Sequence, residues 1–377
     1  MVNQYEKKAA QMLERAGIAL NGSAPGDMQV RDTDVFRRAF AGGTIGLGES
    51  YMDGQWDAYD LSDFFFRIMR ADFRTSRSLN SWSILAYALR ARLTNMQVQK
   101  RAFEVGEEHY DLGNDLFEAM LDKRLNYTCG YWSSPTDPVQ TLEEAQEAKL
   151  DLICRKIGLK PGQTVLDIGC GWGNFLKFAA EKYAAKGVGI TISKEQAAGA
   201  RECCKGLPVE IRVEDYRDTI GTFDHIVSIG MIEHVGPKNY RTYMKKVHEL
   251  LKDDGLFLLH TIGAQQTTWI TDPWIRKYIF PNGVLPSVAQ IGAASNRLFI
   301  MEDWHNFGPD YDKTLMAWFE NFDRNWPTLK QKYSERFYRM WKYYLLSCAG
   351  SFRARHNQLW QVVLSKKGIV GGYPSVR

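Results

Sequence analysis

Hydrophobic and polar positions alternate in two different periods along this chain. From residue 141 onward, short apolar runs rich in β-branched residues are separated by helical stretches. Thr164–Ile168, Gly187–Ile192, Val209–Val213, Asp224–Ile229 and Leu256–His260 read as five strands. Helices are predicted from Asn174, over Lys194–Lys205 behind a Ser193 cap, and over Tyr240–Leu251. Thr141-Leu142-Glu143-Glu144 has the form of a capping box and opens a further helix to about Ile157. Strands alternating with helices at these lengths imply an α/β fold with a doubly wound, mostly parallel sheet.

The first part of the chain patterns differently. Residues 3–16 form an amphipathic helix that stops near Gly17. Ile18–Asn21 and Met28–Arg31 suggest a hairpin around Gly22-Ser23-Ala24-Pro25-Gly26. Asp34–Phe40 reads as a helix broken by Gly42-Gly43, and Gly46–Gly54 is too rich in turn residues to read as one element. Leu61–Arg70 is helical with an unusually apolar body. These elements predict a small α+β accessory domain over residues 1–75. A basic amphipathic connector follows over residues 76–100, and a catalytic domain over residues 101–377. Around the connector, Arg67, Arg70, Arg74, Arg77, Arg90, Arg92, Lys100 and Arg101 face the single acid Asp72. Trp82, Leu85, Leu89, Leu93 and Met96 share one helical face. Such a helix suits an anionic bilayer surface, or it docks on a neighbouring domain.

Composition narrows the class. In 377 residues, 13% aromatic content exceeds the needs of one core and suggests an apolar pocket. A net charge of +4 is too small to name a partner, and no nucleic acid is expected. The six cysteines form no CxxC pair, so neither a zinc site nor a disulfide framework is supported, and no metal is expected. No signal-peptide core precedes the first helix and no apolar run is long enough to span a bilayer. The expected location is the cytoplasm, with any membrane met from its inner surface.

The chemistry centres on Asp167-Ile168-Gly169-Cys170-Gly171-Trp172-Gly173. A strand runs into a tight glycine turn and then a helix, so backbone can approach a ligand closely. The spacing is neither GxGxxG nor that of a P-loop. An acid followed by GxGxG resembles motif I of the S-adenosylmethionine (SAM) methyltransferases. Many such enzymes carry an acid after the second strand; here Thr191-Ile192-Ser193-Lys194-Glu195-Gln196 stands in that place.

Further segments are more specific: His109-Tyr110-Asp111-Leu112-Gly113-Asn114-Asp115, Tyr127-Thr128-Cys129-Gly130-Tyr131-Trp132, Gly230-Met231-Ile232-Glu233-His234-Val235-Gly236, Leu258-Leu259-His260-Thr261-Ile262-Gly263, Asp303–Gly308 and Cys348–Arg355. With the glycine loop, these closely resemble the cyclopropane-fatty-acid synthases, from about residue 8 to residue 365. The resemblance implies a class I SAM-methyltransferase fold preceded by a small α+β lipid-engaging domain. It implies methylene transfer from SAM to the cis double bond of a phospholipid acyl chain, with bicarbonate as the base, on a phospholipid bilayer surface, by a homodimer.

By the same resemblance, bicarbonate would be held by the Cys129 backbone, Glu233, His260, the Ile262 backbone and Tyr311. Backbone N–H groups, an imidazole and a phenol can all donate to an oxyanion. SAM would be held by Tyr127, Thr128, Asp167, Gly169, Cys170, Gly171, Gly173, Thr191, Gln196 and Tyr216. Cys348 matches a family cysteine regarded as part of the active site, though direct attack of an alkene on SAM needs no covalent nucleophile. The alternatives are His234 as the base, a methylene- or methyl-branching outcome, methylation of a lipid headgroup or a small molecule, and a catalytically silent lipid-binding module, against which the intact Gly169, Gly171, Gly173, Glu233, His260 and Tyr311 argue.

Overall fold

The computed structural model describes residues 4–71, 113–132 and 139–377. The connector at 76–100, both expected domain boundaries, and His109–Leu112 lie outside the described residues. In chain order the elements are helix α1 (Gln4–Arg15), strand β1 (Gln29–Val30), α2 (Asp34–Met52), β2 (Trp56–Asp57), α3 (Leu61–Arg70), α4 (Asn114–Met120) and α5 (Leu142–Lys156). Next come β3 (Thr164–Ile168), α6 (Asn174–Tyr183), β4 (Lys186–Thr191), α7 (Lys194–Cys203), β5 (Val209–Val213) and β6 (Phe223–Ile229). Then follow α8 (Ile232–Val235), α9 (Tyr240–Leu250), β7 (Leu251–Ala264), α10 (Pro273–Tyr278), α11 (Val288–Ser295), β8 (Ile300–Asn306), α12 (Pro309–Leu329), α13 (Glu335–Arg353) and β9 (Asn357–Ser365).

Packing gathers the chain into two units. The first comprises Met1–Thr94, Ile270–Pro281 and Tyr311–Asn357; the second comprises Asn95–Trp269, Asn282–Asp310 and Gln358–Arg377.

The second unit is built on a seven-stranded sheet in the order β5-β4-β3-β6-β7-β9-β8. Pairings β3–β4, β3–β6, β4–β5 and β6–β7 are parallel, and β8–β9 is antiparallel. Successive residues feed opposite faces. Val165, Val227, Leu256, Leu258 and Val363 join one core with α5, α6 and α7. Leu166, Ile226, Phe257, Leu259, Val362 and Leu364 join the other with α9 and α11. A sheet covered on both sides explains why its strands are apolar on both faces. The chain leaves β3 for β4 on one side and returns to β6 on the other. A crevice therefore forms at the carboxyl ends of β3 and β6, where ligands bind in open α/β sheets. The five expected strands are all present, and Thr141 and Ser193 cap their helices as the residue types predict. β8 and β9 were not anticipated.

In the first unit two expectations are corrected. Gln29 and Val30 pair antiparallel with Asp57 and Trp56, while Ile18–Asn21 meets the Met28–Arg31 segment at an isolated parallel bridge between Leu20 and Met28, so the two segments touch without closing a hairpin. The two buried oxygens of Asp27 accept from Ala19 N–H and Ala24 N–H and hold that earlier loop instead. The segment from Gly46 to Met52 is not turn but the second half of α2, which is bent at Gly43 (φ 58°). Gly46 and Gly48 serve close packing: a Cβ on Gly48 would sit 2.4 Å from the Trp274 ring of α10, and one on Gly46 would overlap the Arg38 carbonyl. No helix among the described residues is long and apolar enough to cross a membrane.

Candidate active site

The glycine loop leaves β3 with Gly169, Gly171 and Gly173 all at positive φ (84°, 52° and 79°). The Gly169 and Cys170 N–H groups both donate to the Ile190 carbonyl on β4, which pins the turn. A Cβ on Gly171 would project into open space, so backbone there is free to meet a ligand. Asp167 is fully buried, and its Oδ1 meets no partner among the described residues. Burial pushes its carboxyl up to about 7, opposed by the nearby Lys149 ammonium. Cys170 packs its Sγ over β4, 2.9 Å from where a Cβ on Gly189 would lie, and burial raises its thiol far above neutrality. Size accounts for this cysteine.

After β4, the Thr191 hydroxyl donates to Gln196 Oε1 at 2.9 Å, and Ser193 Oγ accepts from Gln196 N–H. The segment that replaces the usual acid therefore presents a buried amide instead. Tyr127 stands edge-on to Phe117, which in turn meets Trp172 of the loop. Tyr216 lies buried against Tyr243, with the Arg217 guanidinium 4.9 Å from its ring centre. A cleft of about 710 Å³ opens beside the loop, lined by residues including Arg124, Trp172, Asn174, Glu195 and Cys203.

Glu233 is the second residue of the short helix α8 that follows β6, and His260 sits in β7 opposite Ile229. Both are buried. Glu233 Oε1 accepts from Ile262 N–H at 2.8 Å, while Oε2 has no partner among the described residues. Desolvation raises this carboxyl to about 7. Because the Ile262 N–H is engaged by Glu233, it orients the carboxylate. His260 Nδ1 lies 3.3 Å from the Gln361 amide nitrogen of β9, which can only donate. Nδ1 therefore accepts and Nε2 carries the proton, and Nε2 too has no partner among the described residues. Burial, with the fields of Lys149 and Lys156, holds the imidazole neutral by driving its pKa well below the usual value. His234, at the neighbouring position, is more accessible to solvent than Glu233, and desolvation lowers its imidazole below the usual value.

The Tyr127–Trp132 segment runs along α5. Gly130 lets it approach: a Cβ there would meet Ala145 Cβ at 2.8 Å, and Tyr131 N–H donates to the Ala145 carbonyl. Cys129 is buried and its Sγ contacts the Gly130 carbonyl. The Thr128 methyl is 3.0 Å from the Cβ position of Gly230, just before α8. Cys129, Glu233, His260 and Ile262 thus belong to one unit with all of the expected SAM residues. Tyr311 and Cys348 belong to the first unit. Tyr311 opens α12 and stacks on Phe352 at 4.5 Å. Cys348 lies in α13, where burial and the Asp272 charge push its thiol up to about 12. Such a thiol is protonated at neutral pH and a poor nucleophile.

The residues that patterning missed are Gln146, Lys149 and Lys156 on the buried face of α5, and Gln361 on β9. The signal was available for the first three: they fall at the helical spacing of the apolar stripe itself.

A protein-family model described as mycolic acid cyclopropane synthetase matches residues 97–362. This chain belongs to the cyclopropane synthase family. The cyclopropane-fatty-acyl-phospholipid synthase of Escherichia coli K12 is 55% identical to the enzyme over 370 residues, spanning 98% of this chain and 95% of that one. Tuberculostearic acid methyltransferase UfaA1 of Mycobacterium tuberculosis is 30% identical over 392 residues, spanning 98% and 91%. The solved structure of mycolic acid cyclopropane synthase CmaA1 complexed with SAH and CTAB aligns with a TM-score of 0.65 at 32% identity, covering 72% of this chain and 100% of that one. The sheet order, the glycine loop and these relatives make the enzyme a SAM-dependent transferase of class I fold.

Proposed function

We propose that the enzyme transfers a methylene group from SAM to the cis double bond of an unsaturated phospholipid acyl chain, giving a cyclopropane ring and S-adenosylhomocysteine. One observation carries the chemistry: two buried polar atoms of opposite character, Glu233 Oε2 and His260 Nε2, that have no partner among the described residues, in the unit that holds the glycine loop. An isolated alkene is a weak nucleophile, so the protein must hold it against the electrophilic methyl and keep water out. The alkene π-pair forms a bond to the methyl carbon as the carbon–sulfur bond breaks. Loss of a proton from that carbon lets the ring close, and the proton needs an acceptor at that point.

The acceptor group and the donors suit bicarbonate. Glu233 can take the hydrogen bond of its hydroxyl, and the neutral His260 can donate to an oxyanion. When bound, bicarbonate supplies the base. By the family resemblance, the backbones of Cys129 and Ile262 and the Tyr311 phenol would be the remaining holders. The SAM residues named above hold the donor, with the buried Asp167 and the loop glycines toward its methionine part. The basic sequence around residues 76–100 supports a further reading, in which the enzyme works on an anionic bilayer surface; a homodimer is implied by the family resemblance alone.

With SAM and vesicles of unsaturated phospholipid, the acyl chains gain the mass of one CH2 and their fragments locate a ring at the former double bond. A product labelled on the headgroup, or an acyl methylene branch, would overturn the assignment. Cys348→Ala is expected to keep turnover within about threefold, because no step needs a thiolate; a loss near a hundredfold in steady-state rate would restore that cysteine to the chemistry.

A further inference from the structure

We infer that Lys149 is a positioning residue of this enzyme: its buried ammonium pins the Asn126–Thr128 segment, and with it the Cys129 backbone, so that an oxyanion is bound where the methyl is transferred. The inference rests on the bicarbonate reading above and deepens it.

Lys149 lies in the middle of α5 and is 1% exposed. Its Nζ donates to Asn126 Oδ1 at 3.2 Å and to Thr128 Oγ1 at 3.1 Å. One turn earlier on the same face, Gln146 Nε2 donates to the Thr128 carbonyl at 2.8 Å. Asn126 is itself clamped from the other side: its N–H and its Nδ2 donate to the two oxygens of buried Asp122, at 2.8 and 2.9 Å. The Asn126 amide thus bridges a carboxylate and an ammonium. It does so just after Leu125, whose φ of 51° is unusual for a branched residue. The chain is held at Asn126, Thr128, Gly130 and Tyr131, with Cys129 between, and Thr128 also packs on Gly230 before Glu233.

Burying an ammonium is costly unless it is paired, and here Asn126 and Thr128 accept from it directly while Asp122 opposes its charge beyond the Asn126 amide. What the charge supplies is a positive field at low dielectric, where it acts strongly on an anion. The titratable groups facing it are Asp122 from the loop after α4, the Cys129 thiol, Asp167 at the end of β3 and His260 on β7. His260 stays neutral partly because of this field, so it donates to the anion without competing as a cation. Burial pushes the ammonium down to about 8, with the facing acids opposing. As a group with its pKa lowered by the fold, it carries its charge at neutral pH and loses it as the pH climbs past that value.

The test compares wild type with Lys149→Gln, Lys149→Met and Thr128→Val. The first readout is binding: the rise in melting temperature as sodium bicarbonate is added at saturating S-adenosylhomocysteine near neutral pH. Wild type should show a saturable rise, and both lysine variants should need about tenfold more bicarbonate or show none. In the two lysine variants S-adenosylhomocysteine affinity should change less than about threefold. The second readout is the pH profile: turnover of wild type falls above about pH 8, and Lys149→Gln lacks that limb. If the lysine variants do not fold, Thr128→Val keeps the ammonium and removes one acceptor, and it should still weaken the bicarbonate response. Folded variants with an unchanged bicarbonate response and an unchanged alkaline limb overturn the inference, as does a loss in the lysine variants confined to S-adenosylhomocysteine affinity. A wild type with no bicarbonate response removes the reading beneath, and the alkaline limb alone then decides the role of Lys149.

Discussion

Glu233→Gln should abolish most turnover while leaving SAM affinity nearly intact. The amide keeps an oxygen for Ile262 N–H, so the loop after β7 stays in place. Its NH2 then occupies the position of Oε2, where a carboxylate oxygen can accept and an amide nitrogen cannot. Removing a group that serves proton transfer costs about 10²- to 10⁴-fold in rate. Steady-state kinetics and calorimetric SAM titration separate the two effects. Parallel losses in both would move Glu233 into the donor pocket.

The same substitution has a stability signature of opposite sign. Burial raises the Glu233 carboxyl from 4.5 to about 7, so between those values the folded chain binds a proton that the unfolded chain releases. Stability therefore falls as pH climbs through that window. Glutamine does not titrate, so Glu233→Gln should be more stable than wild type at pH 8, by about 3 kcal/mol, with the gap closing below about pH 4.5. Chemical denaturation at the two pH values checks it. A carboxylate kept at such a cost is the usual trade between stability and activity.

Gly350→Ala should destabilise the fold and Gly292→Ala should not. Both glycines lie in helices. A Cβ on Gly350 of α13 would fall 2.6 Å from the Ser62 carbonyl and 2.8 Å from the Phe66 nitrogen, both backbone atoms of α3. Neither can give way without moving a helix, and overpacking of this kind costs about 1–3 kcal/mol. Alanine's better helix propensity, about 1 kcal/mol, offsets only part of that. A Cβ on Gly292 of α11 meets nothing within 4 Å, so the propensity gain stands alone. Melting temperatures of the two variants should move in opposite directions. A Gly350→Ala protein as stable as wild type would mean that α3 and α13 are not packed this closely.

The legible parts of the fold were those where a local pattern and a tertiary requirement coincide. Strands β3 to β7 are covered on both faces, so their apolar runs stand out from polar flanks, and Thr141 and Ser193 announce their helices chemically. Gly46 and Gly48 misled because a glycine required by a neighbour's approach looks the same in sequence as a glycine required by a turn. The β1–β2 pairing was hidden because its partner lies across the whole of α2. At the site, Asp167 and the glycine loop could be reasoned from spacing alone. Glu233 and His260 could not: an acid after one strand and an imidazole within the next are common, and the family motifs singled them out. Lys149 falls on the apolar stripe of its helix, but a lysine there among acidic and basic neighbours reads as solvated unless its partners are known. The pairing of its charge depends on Asp122, Asn126 and Thr128, which lie more than 20 residues earlier and carry no periodic signal.

The two packing units are interleaved in the chain, and this shapes the order in which the enzyme can fold. β7, with Phe257, Leu258 and Leu259 fully buried, takes β6 as one neighbour, and its other neighbour is β9, which follows only after α10 to α13. Two of the three segments of the first unit are made in that interval. During synthesis the open edge of β7 must wait, apolar and unpaired, while the ribosome supplies the remainder of both units. Closing the sheet is a late, long-range event with a high loop-closure cost. A chaperone that shields β7 in that interval should raise the yield of soluble enzyme more than one that acts on the finished chain.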